Sequence, residues 1–427
     1  MKISEEQLKS HNKKESEVHS RHFDEIAGRL DKNNLNIESL IQQLEQFQVT
    51  IPSWALGAGG TRFGRFSIGG EPATLGEKLD DVGLIHAMNR TSGAISLHIP
   101  WDIPDDMVAI REKADELDIT FDAVNSNTFQ DQKDQEYSYK YGSLCHTDKK
   151  IRVQAVEHNV QVIRYGEQLG SKAITVWLAD GSNFPGQQNF RKAFERTRDS
   201  LEKIYRELPS DWKMLIEYKP YEPNFYSMVI PDWGTSFLLV SKLGDKAETL
   251  VDLGHHLPNT NIEQIVATLL LEHKLGGFHF NDSKYGDDDL TTGSVKPYQL
   301  FLIFNELVEN IDHPDQPFSQ IAWMIDASHN VKDPLEDLLQ SVEAIQIAFA
   351  RALLVDREQL EHARNANDVS LAQEVMQDAF RTDVRPLVAE SRIRSGAAAH
   401  PLKLYRQLEV RKNLIKERGT ETQATGL

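Results

Sequence analysis

Four apolar runs in the second half of the chain each break their hydrophobic pattern near the C-terminal end, with a group able to bind a metal or move a proton. KMLIEYK (213–219) carries Glu217 and Lys219, two apart and so on one face of a strand. TLVDLG (249–254) carries Asp252 with His255 just beyond, GGFHFND (276–282) carries His279, and IAWMIDA (321–327) carries Asp326. The loop KYGDDDL then offers Asp287 and Asp289 at alternate positions. A lone charge in such a run is very costly to bury unless it meets a partner or a cation. Carboxylates with imidazoles make a hard O/N donor set that suits Mn²⁺, Mg²⁺, Co²⁺ or Zn²⁺, not copper or an iron–sulfur cluster. The donors exceed the needs of one ion, so the pattern predicts two. Glu217, Asp252, His279 and Asp326 would hold one, and Asp252, His255, Asp287 and Asp289 the other, with Asp252 shared.

Each group taken alone has an ordinary explanation. A histidine near a strand end is commonly a hydrogen-bonded structural residue, a GDDD loop is commonly solvated, and a surface Glu–Lys pair is worth about 0–1 kcal/mol. The coincidence of four consecutive strands breaking pattern at one geometric end favours a metal site. Aromatic residues mark the same end of the earlier runs. Trp54 lies near the end of the first, His98 and Trp101 close the second, Phe129 follows the third, and Trp177 is late in the fourth. An aromatic rim facing a carboxylate floor suits a sugar, whose C–H faces stack on rings while its hydroxyls are ligated.

The elements that must position these groups form a regular alternation from Ile51 onward. Candidate strands IPSWAL (51–56), AISLHIP (94–100), TFDAVNS (120–126) and AITVWLAD (173–180) precede the four runs above, and amphipathic helical stretches separate them. Eight strand–helix units predict a closed (β/α)8 TIM barrel, with substrates bound at the C-terminal ends of the strands. A doubly wound open sheet is the competitor, but GAGGTRFG (57–64) lacks the G-x-G-x-x-G spacing and leads into no evident helix. Residues 1–50 read as an N-terminal helical arm, 51–345 as the barrel, and 346–427 as a C-terminal helical extension whose last stretch, GTETQATGL, reads as disordered.

Composition narrows the function classes. The chain has 427 residues and a single cysteine, Cys145, which rules out an internal disulfide or a cysteine zinc site. A formal net charge of −18 disfavours a surface that tracks nucleic-acid phosphates. No secretory h-region and no membrane-length apolar run is visible, so a soluble cytoplasmic protein without membrane or nucleic-acid partners is expected.

The blocks WALGAGGTRFGRF, SLHIPWD, FDAVNSNTF, ITVWLADGSNFPGQ, VDLGHHLPNTNIE, GGFHFNDSKYGDDDL and MIDASHN resemble the L-rhamnose isomerases, within the xylose isomerase-like barrel superfamily. The resemblance runs from about residue 51 to 330 and implies two divalent ions, often Mn²⁺, and interconversion of an aldose with its 2-ketose. It also implies a homotetramer in which a neighbour lends an aromatic residue to the pocket, matching Phe63 here. Asp252 and His279 depart from the Glu and Asp of xylose isomerases and follow the rhamnose isomerase pattern. On this reading Lys219 hydrogen-bonds O1 and stabilises charge developing there, and His98 or Asp326 assists ring opening. A 1,2-hydride shift and a cis-enediol route both remain open. Alternative activities are a single-metal ketose epimerase of the same superfamily and a metal-dependent DNA-repair nuclease.

Overall fold

The computed structural model describes residues 1–32, 35–57, 66–311, 318–327 and 331–420. Its strands in chain order are β1 (Thr50–Pro52), β2 (Ala94–Ile99), β3 (Thr120–Ser126), β4 (Ala173–Trp177), β5 (Gly181–Ser182), β6 (Lys213–Glu217), β7 (Ser227–Met228), β8 (Ala247–Asp252), β9 (Leu275–Phe280) and β10 (Ala322–Ile325). Eight of them close a barrel in the order β1-β10-β9-β8-β6-β4-β3-β2, and every neighbouring pair is parallel. The expected TIM barrel is therefore present, because strands apolar on both faces can be satisfied only with side chains inside and helices outside.

Inside the barrel Ala123, Leu215, Leu250 and Met324 form a compact apolar plug. Gly277 permits β9 to approach β10 closely, since a Cβ there would stand 2.8 Å from Ala322 Cβ. Outside, several helices are bounded by local caps. The helix Lys149–Leu169, for example, starts at Asp148, whose carboxylate accepts from the Lys150 N–H, and stops at Gly170 with φ +89°.

Two strands are shorter than their apolar runs suggest. β1 ends at Pro52, and Ser53–Ala55 turn into a short 3₁₀ helix. Proline has no N–H to continue a ladder. β4 ends at Trp177, and the residues beyond it leave the barrel to form β5, which pairs antiparallel with β7 in a small ribbon that the sequence pattern did not suggest.

The terminal helices pack on one another and on the barrel. The helix Glu5–Lys32 buries Leu8, His11, Ile26 and Leu30 and packs on the helix Arg385–Arg394, which also meets Pro334–Leu353. That last helix is continuous across residue 345, where the barrel was expected to end. The helix Val410–Arg418 returns to the segment after β1 and to the helix Leu75–Asn89. Arg411 reaches the carbonyls of Gly69 and Gly70 at 3.3 and 3.2 Å and pairs with Asp333 at 2.7 Å, while Arg418 pairs with buried Asp81. Residues 421–427, which include most of the stretch expected to be disordered, lie outside the described residues. No single described helix is long and apolar enough to cross a membrane.

Candidate metal and sugar site

Strand register brings the chemistry-bearing ends level. Trp177 pairs with Glu217, Asp252 with His279, and His279 with Met324. One cavity opens at this end. Trp54, His98, Trp101, Phe129, Trp177, Glu217, Lys219, His255, His279, Asp287, Asp289 and Asp326 all line it. Asp252 is fully buried behind them. Phe63 lies outside the described residues.

Among the described residues two groups of donors converge. Glu217, Asp252, His279 and Asp326 offer ligand atoms within 4.8 Å of one another, and so do Asp252, His255 and Asp287. Asp252 belongs to both, as the two-ion expectation requires. Asp289 lines the same cavity, with φ +47°, but stands outside the close group assigned to it from sequence. The distances are short throughout: His279 Nδ1 is 3.1 Å from Glu217 Oε1 and 3.7 Å from Asp326 Oδ2, and His255 Nε2 is 3.2 Å from Asp287 Oδ1.

Electrostatics reports the same crowding. Burial pushes the Asp252 carboxyl up to about 7, with Glu217, Asp326 and Asp287 adding to it and His255 opposing. Burial works against the cationic forms of His255 and His279. The surrounding carboxylates outweigh it, Asp252 foremost for His255 and Glu217 for His279, raising them to about 9 and about 10. Packed carboxylates that draw protons onto adjacent imidazoles form a site in want of positive charge. The donor atoms fit divalent cations on a second count. Asp252 Oδ2 is buried and takes no hydrogen bond among the described residues.

Outer groups hold the donors in place. Asn281 Nδ2 donates to Asp252 Oδ1 at 2.9 Å, the His255 ring meets the Tyr218 carbonyl at 2.9 Å, and Trp54 Nε1 donates to Asp326 Oδ1 at 2.7 Å. Strand alternation places Glu217 and Lys219 at the cavity and turns Tyr218 outward, where its hydroxyl meets His256 Nε2 at 2.7 Å. Lys219 is 2% exposed. Its ammonium pairs with Asp287 and with Glu222, the latter at 3.1 Å, and lies 5.2 Å from the centre of the Trp177 ring.

The opposite wall is aromatic. His98 stacks on Trp101 at 4.2 Å between centroids, meets Trp54 edge-on at 5.6 Å, and Phe129 lies 4.7 Å from Trp177. Burial lowers His98 to about 3, with His158 and Lys78 contributing, so its ring is neutral. The site thus divides along the chain: β6, β8, β9, β10 and their loops supply the donors, and β1 to β4 supply the wall. Sequence reasoning missed Asn125 and Ser126 on that wall, Asn281 behind Asp252, and Glu222 beside Lys219. Asn281 had a signal, since it lies two residues after His279 and on the same face. Glu222, in an irregular loop with φ +66°, had none.

Residues 79–318 match the family model described as xylose isomerase-like TIM barrel. The chain belongs to this family. Within it, a "probable sugar isomerase" of Rhizobium meliloti is 48% identical over 416 residues, covering 97% of this chain and 96% of that protein. A second protein so named, of Mesorhizobium japonicum, is 48% identical over 424 residues, covering 99% and 98%. Among solved structures, an L-ribulose 3-epimerase superposes with a TM-score of 0.52 at 13% identity, covering 76% of this chain and 98% of that one, a likeness of fold. The two buried donor groups are consistent with divalent metals in this xylose isomerase-like family.

Proposed function

We propose that the protein is an aldose–ketose isomerase dependent on two divalent ions, converting L-rhamnose to L-rhamnulose in open-chain form. One observation carries the reading: two donor groups share Asp252 beside a buried lysine, opposite an aromatic wall. Glu217, Asp252, His279 and Asp326 would hold one ion and Asp252, His255 and Asp287 the other, with Asp289 beside it. Bound there, divalent ions supply a template for sugar oxygens and Lewis acidity at the carbonyl.

The chain's own residues do the rest. The Lys219 ammonium, kept in place by Glu222 and Asp287, donates to O1 of the sugar and stabilises the negative charge that develops there. Trp101, Phe129 and Trp177 stack on the C–H face and exclude water. His98 and Asp326, the latter oriented by Trp54, are the groups at the cavity within reach of a hydroxyl proton as the ring opens. Every carboxylate of the two donor groups has a ligand role, which leaves none of them free as a base for C2. That favours direct movement of the hydrogen from C2 to C1 over its removal as a proton.

The assignment is tested by following L-rhamnulose formation with metal-stripped and Mn²⁺-restored protein. Activity restored by Mn²⁺ supports it, and turnover unchanged by stripping defeats it. Isomerisation in D₂O tests the route: deuterium at C1 of the product would exclude the direct transfer. A single-ion epimerase is disfavoured because the Asp252–His255–Asp287 group would then have no ion to bind.

A further inference from the structure

Asp102 ends the SLHIPWD block, and Lys78 lies on the buried face of the helix Leu75–Asn89. Both are 2% exposed, and Lys78 Nζ meets Asp102 Oδ1 at 2.6 Å. Neither lines the cavity, and the chemistry proposed above uses neither. The second carboxylate oxygen, Oδ2, accepts the backbone N–H of His98 at 2.8 Å and the hydroxyl of Ser53. The N–H of Asp102 in turn donates to the His98 carbonyl at 3.0 Å.

Those partners have a common property. Ser53 precedes Trp54, Asp102 follows Trp101, and His98 lies between the two indoles, stacked on Trp101 and edge-on to Trp54. One carboxylate therefore gathers donors from the end of β1, the end of β2 and the first helix of the barrel, directly behind three members of the aromatic wall. A buried ion pair is a poor source of stability, since well-packed apolar residues commonly serve as well or better. Apolar residues cannot, however, bind three donors in fixed directions.

We propose that Lys78 and Asp102 are positioning residues for the sugar-binding wall. Asp102 holds Trp54, His98 and Trp101 in the stance that stacks on the sugar, and Lys78 neutralises and aims the carboxylate. The proposal rests on the isomerase reading for its kinetic consequence but not for its structural one.

Asp102→Asn leaves one acceptor oxygen for three donors. Its KM for the sugar should rise at least about tenfold, with kcat falling by a smaller factor because His98 also stands within reach of ring opening, a signature dominated by lost binding. Manganese content should be unchanged, and the near-UV circular dichroism of the sugar-free protein should change as the indoles lose their fixed setting. Ser53→Ala removes one donor and no charge, and should raise KM by about two- to fivefold with a smaller spectral change in the same sense. A folded Asp102→Asn protein with unaltered KM and near-UV spectrum would overturn the proposal. If that variant does not fold, an unaltered Ser53→Ala protein overturns it equally. A fall in kcat at constant KM also counts against it. Wild-type protein that turns over no aldose or ketose would sink the isomerase reading alone, because the near-UV spectra still decide the positioning claim.

Discussion

Asp252 bears more of the proposed chemistry than any other side chain, because both donor groups include it. Asp252→Ala should lower manganese content at the two sites together, as read by elemental analysis; a variant that retains two ions per chain would refute the sharing. Lys219→Ala addresses the other half of the site. It should lower kcat by at least about 10²-fold, on the scale of losing one preorganised donor to a developing oxyanion, and leave metal content intact. Proton bookkeeping gives a third test. The folded apoprotein holds His255 and His279 protonated up to about pH 9 and about pH 10, so cations must displace those protons. Mn²⁺ binding at pH 7.5 should release about two protons, seen as a heat that varies with buffer ionisation enthalpy, and affinity should fall as pH falls. Most of these candidate donors were legible in the sequence, since a charge set in an apolar run stands out whatever surrounds it. Asp102 and Glu222 were not legible, for their partners come from a distant helix and from an irregular loop.

At the scale of elements, the eight barrel strands were readable because parallel strands covered on both faces must be apolar nearly throughout. Their ends were less so. Apolar character continues past Pro52 and past Trp177, whereas the ladder stops where a donor is missing or where the chain turns off to pair elsewhere. Between elements, side chains act as ties. His158, on the helix Lys149–Leu169, accepts the Asn127 N–H at 3.1 Å just beyond β3, and burial lowers it to about 4. The unfolded chain takes up this proton near the ordinary value of 6.5, well before the folded protein does. The tie's contribution is thus intact above pH 6.5 and is lost as pH falls toward 4, at up to about 1.4 kcal/mol per pH unit. Urea titrations of wild type and His158→Gln across that range should converge as the pH drops. Parallel pH profiles would exclude the effect.

For the whole molecule, the terminal extensions were foreseen as helices, but not what they would grip. A helix pattern reveals an apolar stripe, whereas the grip of Val410–Arg418 on Gly69 and Gly70 is made by backbone carbonyls and guanidinium groups. Gly70 has φ +71°, donates its N–H to the Gly419 carbonyl at 2.9 Å, and would bring a Cβ within 2.7 Å of Ile415 N. Gly70→Ala should destabilise the protein by roughly 1–3 kcal/mol through backbone crowding, measured as a lowered urea midpoint. Gly396→Ala shares a positive φ but has nothing within 4 Å, and should lose less.

The separation of donors and wall between the two halves of the barrel has a consequence for change over time. Residues 217–326 supply the candidate metal donors, whereas residues 54–177 supply the aromatic wall opposite them. Among the described side chains, Trp54 to Asp326, Trp54 to His279 and the Lys219 ammonium over Trp177 join the halves at the cavity. A descendant can therefore acquire a taste for a different carbohydrate by redrafting its early loops, while inheriting the reactive machinery unaltered.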